Sequence, residues 1–119
     1  MTSAALPPLQ EPTFLILAAL AAQPMHGYGV IQEVAELSEG RVKLRAGTLY
    51  GALDRLVEQS LVAADREEIV DGRLRRYYRL TDDGAAVLEA EARRLTSNAE
   101  AAVKRLGART GRRTRLAHG

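Results

Sequence analysis

Residues 46–64 read AGTLYGALDRLVEQSLVAA, and the spacing of their apolar side chains decides the fold. Leu49, Leu53, Leu56 and Val57 fall at i, i+4, i+7 and i+8, one stripe of an amphipathic helix that needs a core to lie against. Thr48 stands where a hydroxyl can cap the first turn. After that helix the texture switches. Residues 61–64 (LVAA) and 77–80 (YYRL) read as two short strands, joined by a polar stretch that contains Asp71-Gly72. Both residues of that pair tolerate positive φ and favour hairpin turns. The spacing predicts a loop longer than two residues and leaves its turn type open.

Working outward, Pro12 suits the first turn of a helix that runs to about Ala22, with Phe14, Leu17, Ala18 and Ala21 on one face. Pro24 separates it from a second helix beginning near His26-Gly27-Tyr28, where Val30, Ile31, Val34 and Leu37 recur at helical spacing up to Gly40. Downstream, Thr81 is placed to cap a fourth helix, and Asp82 and Asp83 complement its dipole. From there Ala85, Leu88, Ala92, Leu95, Ala99, Ala102 and Leu106 alternate in steps of three and four, the heptad seam of a coiled coil. A helix over residues 82–106 is roughly 37 Å long at ~1.5 Å per residue. Three short helices and a hairpin cannot cover it, so a second copy of the chain is expected on the seam, helped by Phe14 and Leu17 of the first helix.

The expected organisation is a flexible arm over residues 1–11, a winged helix-turn-helix over 12–80, a dimerisation helix over 81–106 and a basic, disordered tail over 107–119. The fold class is mostly α with a small β-hairpin. Three helices followed by a two-stranded wing present the third helix to the DNA major groove.

Composition sets the limits on function. The 119 residues are 46% hydrophobic and 27% charged, which fits one globular domain rather than a disordered chain. Cysteine is absent, so disulfides and thiolate metal sites are excluded, and a cytoplasmic protein, nucleoid-associated when on DNA, is expected. The formal charge is only +2, but residues 1–40 hold no Lys or Arg, so all basic side chains lie from Arg41 onward. The apolar run over residues 14–22 has no basic flank and is too short to span a bilayer, which needs about 20 residues, so it reads as a buried helix.

Three motifs stand in register: His26-Gly27-Tyr28; Gly47-Thr48-Leu49-Tyr50 with Leu53 and Leu56; and Arg75-Arg76-Tyr77-Tyr78-Arg79-Leu80-Thr81 with Gly84. In these the chain resembles the PadR-like transcriptional regulators, in the compact branch with a single C-terminal helix. The resemblance covers about residues 12–106. It implies a homodimer that binds double-stranded DNA through its third helices and wings, mostly as a repressor, in several members released by a small aromatic or drug-like effector. The chain departs from the family at Ser60, where Gly is frequent, and in lacking the tryptophan on which some members stack ligands.

The expected DNA contacts follow from position and chemistry. On the third helix these are Thr48, Tyr50, Gly51 and Arg55. Tyr50 flanks the apolar stripe, so its ring packs while its hydroxyl reaches a phosphate, and the resemblance also makes it a contact. Arg55 is the candidate for a base edge, because a guanidinium bonds guanine bidentately. Lys43 and Arg45, with Arg41 before them, precede that helix, and Arg73 and Arg75 lead the basic residues of the wing. Two recognition helices ~34 Å apart on a dimer imply a pseudo-palindromic site. The expected dimer interface is Phe14, Leu17, Ala85, Leu88, Ala92, Leu95, Ala99, Ala102 and Leu106. Of these, Phe14, Leu17, Leu88, Ala92 and Leu95 are the candidate lining of an effector pocket.

No enzyme is expected. There is no Gly-rich phosphate loop, no nucleophile–base pair and no metal constellation, and His26 has only His118 as companion, so His26 reads as a structural residue near the start of the second helix. No cofactor and no membrane partner are expected. The alternative function is a winged-helix module that dimerises in the same way and sets its basic wing on an acidic protein partner.

Overall fold

A computed structural model describes residues 8–118, with side chains through Arg112. In chain order the elements are α1 (Glu11–Ala22), β1 (Met25–His26), α2 (Gly27–Leu37), α3 (Ala46–Glu58), β2 (Val62–Val70), β3 (Arg73–Leu80) and α4 (Asp82–His118). The chain divides into two compact units, one up to Glu89 and one from Ala90 on, with α4 running through the boundary. Of the expected N-terminal arm, residues 1–7 lie outside the described residues.

In the first unit the core is built from α1, α2, α3 and the base of the hairpin: Ile16, Leu17, Val30, Val34, Leu49, Leu53 and Val62 are all but completely buried. The face of α1 differs from expectation. Leu15, Ile16, Leu17, Ala19 and Leu20 are buried, and Ala21 is exposed. A continuous apolar run has no polar side to mark its outward face, so packing rather than periodicity selects it. The stripe of α3 is the expected one for Leu49, Leu53 and Leu56, but Ala52 completes it and Val57 stays outside.

The turn between α2 and α3 is pinned by Ser38, which is buried. Its hydroxyl donates to the Ala35 carbonyl (3.2 Å) and accepts from the Val42 N–H (2.9 Å). Glu39 and Gly40 both take positive φ (54° and 83°), and the Gly40 N–H closes on the Ala35 carbonyl at 2.7 Å. Because α3 starts at Ala46, its N-cap is Arg45 and no side chain caps it; Thr48 sits inside the first turn and is not the cap.

The sheet has the antiparallel order β1-β3-β2. The two-residue strand β1 was not expected; it pairs Met25 with Tyr78 and His26 with Tyr77. The hairpin is longer and tighter than its sequence implied. Register runs from Val62↔Leu80 to Val70↔Arg73, with an irregularity between Ala64 and Glu67, so only Asp71 and Gly72 are left to turn. Both have positive φ (52° and 75°), the pattern of a type I′ turn.

At the foot of the hairpin, Ser60 holds a left-handed φ of 62°, a region that glycine enters at least cost. Thr81 caps α4 as expected: its hydroxyl accepts from the Gly84 N–H (2.9 Å) and donates to the Ser60 carbonyl (2.7 Å). Gly84 is held against the backbone there. A Cβ on it would run into the Leu61 carbonyl and lie 2.7 Å from Leu80 Cδ1.

In the second unit α4 continues to His118 and does not stop at Leu106, so residues 107–118 are helical where a disordered tail was expected, and residue 119 lies outside the described residues. Gly107 and Gly111 each cost a helix about 1 kcal/mol, too little to break one that arginine, leucine and alanine sustain around them. Glu91 and Arg94 form a bidentate pair one turn apart (2.9 and 2.7 Å). No helix among the described residues is long and apolar enough to cross a membrane.

Candidate nucleic-acid interface

The N-terminal half of α3 exposes Thr48 and Tyr50, with Gly51 half-exposed beside them. None of these side chains hydrogen-bonds to another described residue. Tyr50 is 44% exposed, and its ring reaches across to the first residue of α2. With His26, Gly27 and Tyr28 at the start of α2, and Val70, Asp71, Arg73, Leu74, Arg75 and Arg76 of the wing, it lines an open cleft of about 560 Å³.

Arg55 is exposed on the other flank of α3. It lines a separate groove with Pro8, Leu9, Gln10 and Thr13, and its Nη1 lies 3.8 Å from where a Gly51 Cβ would be. The two expected contacts of α3, Tyr50 and Arg55, therefore face different clefts, with Gly51 on the crest between.

Geometry sorts the basic residues, which sequence alone could not do. In the wing, Arg76 is paired with Glu67 (3.3 Å), Arg79 with Asp65 (3.8 Å), and Arg66 with Glu68 (3.0 Å) and Asp65 (3.4 Å). Arg75 stands opposite Glu68 in the register. Arg73, beside the turn, is exposed and has no carboxylate partner among the described residues, and the same holds for Lys43 and Arg45. Arg41 is different: it grips Glu11 through both nitrogens (3.1 and 2.7 Å), so its charge is already answered within the chain. That pair holds the Glu11 carboxyl below its ordinary value.

The root of the wing is locked to α2 by a small network. The His26 ring meets Tyr77 edge-on (centroids 5.4 Å apart), and the Arg66 guanidinium lies 3.9 Å above the Tyr77 ring. Tyr77 donates its hydroxyl to Glu68 (3.2 Å), whose carboxyl is held low chiefly by the Arg66 hydrogen bond. His26 Nδ1 accepts from the Gly29 N–H (3.3 Å) and so caps α2. Burial first, and Arg75 second, push the His26 pKa below 6.5, with Glu68 acting against them. The imidazole thus serves structure, and no cluster of metal-ligating side chains occurs among the described residues.

Of the expected dimer residues, Ala85, Leu95, Ala99, Ala102 and Leu106 are exposed, and Leu88, Ala92 and Phe14 are half-buried. Leu17 has to be withdrawn, both as an interface residue and as pocket lining. It is 0% exposed, because α1 turns it into the chain's own core. Val103, 69% exposed, lies about one turn from Ala99 and from Leu106 on the same helix.

Three helices, a β-hairpin wing docked on the second helix and an exposed third helix define a winged helix-turn-helix. The model of the transcriptional regulator PadR-like family matches residues 16–90, and the chain belongs to that family. It is therefore a transcriptional regulator and not an enzyme. Transcriptional regulator Rv3488 of Mycobacterium tuberculosis is 39% identical over 80 residues, 67% of this chain and 71% of that protein. A PadR family transcription regulator from Clostridium difficile superposes with a TM-score of 0.62 at 26% identity, covering 77% of this chain and 94% of that one. Bacillus subtilis PadR, solved in complex with operator DNA, shares the fold with a TM-score of 0.60 at 21% identity, over 68% of this chain and 46% of its own.

Proposed function

We propose that this regulator binds a pseudo-palindromic operator as a homodimer and represses transcription by occupying it. Each protomer lays α3 in the major groove. Tyr50 takes a backbone phosphate from one flank, and Arg55 reaches a base edge from the other. Lys43, Arg45 and Arg73 hold the phosphates on either side, with Arg75 adding to the field of the cleft. Dimerisation joins the apolar seams of two α4 helices, and a small apolar or aromatic effector acting on the dimer releases the DNA.

One observation carries this reading. The cations that flank α3, namely Lys43, Arg45 and Arg73, have no carboxylate partner among the described residues, whereas Arg66, Arg76 and Arg79 are each ion-paired. Unanswered positive charge around an exposed helix with free polar side chains is what a phosphate backbone needs. Nuclease footprinting on the DNA upstream of the protein's own gene, with transcription from it measured in parallel, tests the proposal. Expected are two protected half-sites about one helical turn apart and less transcript as protein is added. Protection of a single half-site, or transcript that does not fall, would refute it.

A further inference from the structure

Gly27 is the buried first residue of α2, and nothing in its own backbone asks for glycine. Only Gly40 and Gly72 among the described glycines have positive φ. Alanine is the better helix former by about 1 kcal/mol in a helix interior. What Gly27 does provide is room. A Cβ on it would overlap the hydroxyl of Tyr50, lie 2.7 Å from Cζ and lie 3.1 Å from Cε1 of the same ring. Its three nearest neighbours all belong to this one side chain. Gly29, two residues on, has only ordinary contacts at 3.7 Å and beyond.

The contact joins two helices. Tyr50 leaves α3, crosses the helix-turn-helix and rests the tip of its phenol on the Gly27 Cα. There its hydroxyl finds no hydrogen-bond partner among the described residues and faces a cleft lined by Arg73, Arg75 and Arg76. Tyr50 is 44% exposed as a residue, and its ring is set by the choice among staggered rotamers. The flat seat at residue 27 favours the one that keeps the hydroxyl low in the arginine-lined cleft.

We infer that Gly27 is a positioning residue for DNA binding: by lacking a side chain it seats Tyr50 and aims its hydroxyl into the cleft. The inference rests on the proposed role of Tyr50 as a phosphate contact. Gly27→Ala leaves the core in place, because the group that must move is the far end of one half-exposed side chain. It lifts the phenol out of the cleft and removes its hydrogen bond to the phosphate.

The test is a double-mutant cycle on operator DNA with the full chain: wild type, G27A, Y50A and G27A/Y50A. Aromatic NMR of the Tyr50 ring and unfolding midpoints accompany it. Losing a hydrogen bond to a charged group weakens binding about ten- to hundredfold. G27A and Y50A are each expected to lose that much, and the double variant no more than Y50A alone. The Tyr50 ring signals of G27A shift, while its unfolding midpoint stays at or above that of wild type. If Y50A weakens binding but G27A binds as wild type with unmoved ring signals, the seat is refuted and the Tyr50 contact stands. Should the two losses add up in the double variant, Gly27 acts on DNA by another route and the inference fails. If neither Y50A nor G27A changes affinity although the ring has moved, the Tyr50 contact itself is wrong and the inference falls with it.

Discussion

Truncating the seam of α4 is the perturbation with the most calculable consequence for assembly. Leu95 and Leu106 are 42% and 60% exposed, and both lie on the heptad stripe. Leu→Ala removes three carbons, worth ~2.4 kcal/mol when the side chain goes from full exposure to full burial at ~0.8 kcal/mol per methylene. Scaled by the exposed fractions of the two residues, the loss is about 1.0 and about 1.4 kcal/mol per chain. In a symmetric dimer each residue counts twice, which makes about 5 kcal/mol for the L95A/L106A double variant. At about 1.4 kcal/mol per decade, the dimer dissociation constant rises by at least three orders of magnitude. Alanine is no worse than leucine in a helix, so α4 keeps its helicity and the change is one of assembly. Sedimentation equilibrium over a concentration series, with circular dichroism as the helix control, measures it. A dissociation constant within tenfold of wild type would refute the seam as the dimer interface.

Three further outcomes follow from the geometry. At the foot of the wing, Gly84→Ala drives a Cβ into the Leu61 carbonyl and should cost about 1–3 kcal/mol in urea unfolding, whereas Ser60→Gly relieves a left-handed φ of 62° and should gain about 0.5–1 kcal/mol. His26 titrates below 6.5 in the folded chain, so the unfolded chain takes up the proton first. Its contribution to stability is complete above about pH 6.5 and is lost as the pH falls from there through the folded pKa. Unfolding midpoints measured from pH 7.5 down to 5 should show that slope, and His26→Asn, which keeps a cap acceptor, should flatten it; Glu11 and Glu68 contribute only in the lower window beneath 4.5. Arg73→Gln should weaken operator and random DNA equally and reduce the slope of log affinity on log salt by about 0.9 per protomer, while Arg76→Gln, whose guanidinium is held by Glu67, changes the slope far less.

Reading the chain as sequence was most successful where local chemistry and tertiary packing ask for the same thing. The Leu49, Leu53 and Leu56 stripe of α3 and the Thr81 cap are of this kind, since spacing and a hydroxyl each carry their own signal; Asp71-Gly72 marked where the hairpin turns, but not that only two residues make the turn. Legibility failed where only the folded context decides. The outer half of β2 is charged and looks like loop, but cross-strand arginines hold it in the ladder. The strand β1 is two residues long and has no period to read; it exists because β3 offers an edge. In α1 an unbroken apolar run concealed which face turns inward, and Leu17 was given to a partner when its own core holds it. At the site, the motif residues were all visible, but their division was not. That Arg73 has no carboxylate partner among the described residues while Arg76 is paired, or that Gly27 touches Tyr50 across 23 positions of sequence, depends on distances no pattern encodes.

The central claim is that α3, flanked by cations with no carboxylate partner among the described residues, reads one DNA sequence. Fluorescence anisotropy with the DNA upstream of the gene and a scrambled duplex, across several salt concentrations, tests it most directly. The Y50A/R55A variant is measured alongside, with its fold and oligomeric state verified. The account predicts tight, salt-sensitive binding to the upstream DNA, at least a hundredfold weaker binding to the scrambled duplex, and loss of that preference in the variant. Equal, weak binding of both proteins to both duplexes would contradict it and turn attention to an acidic protein as the partner of the wing.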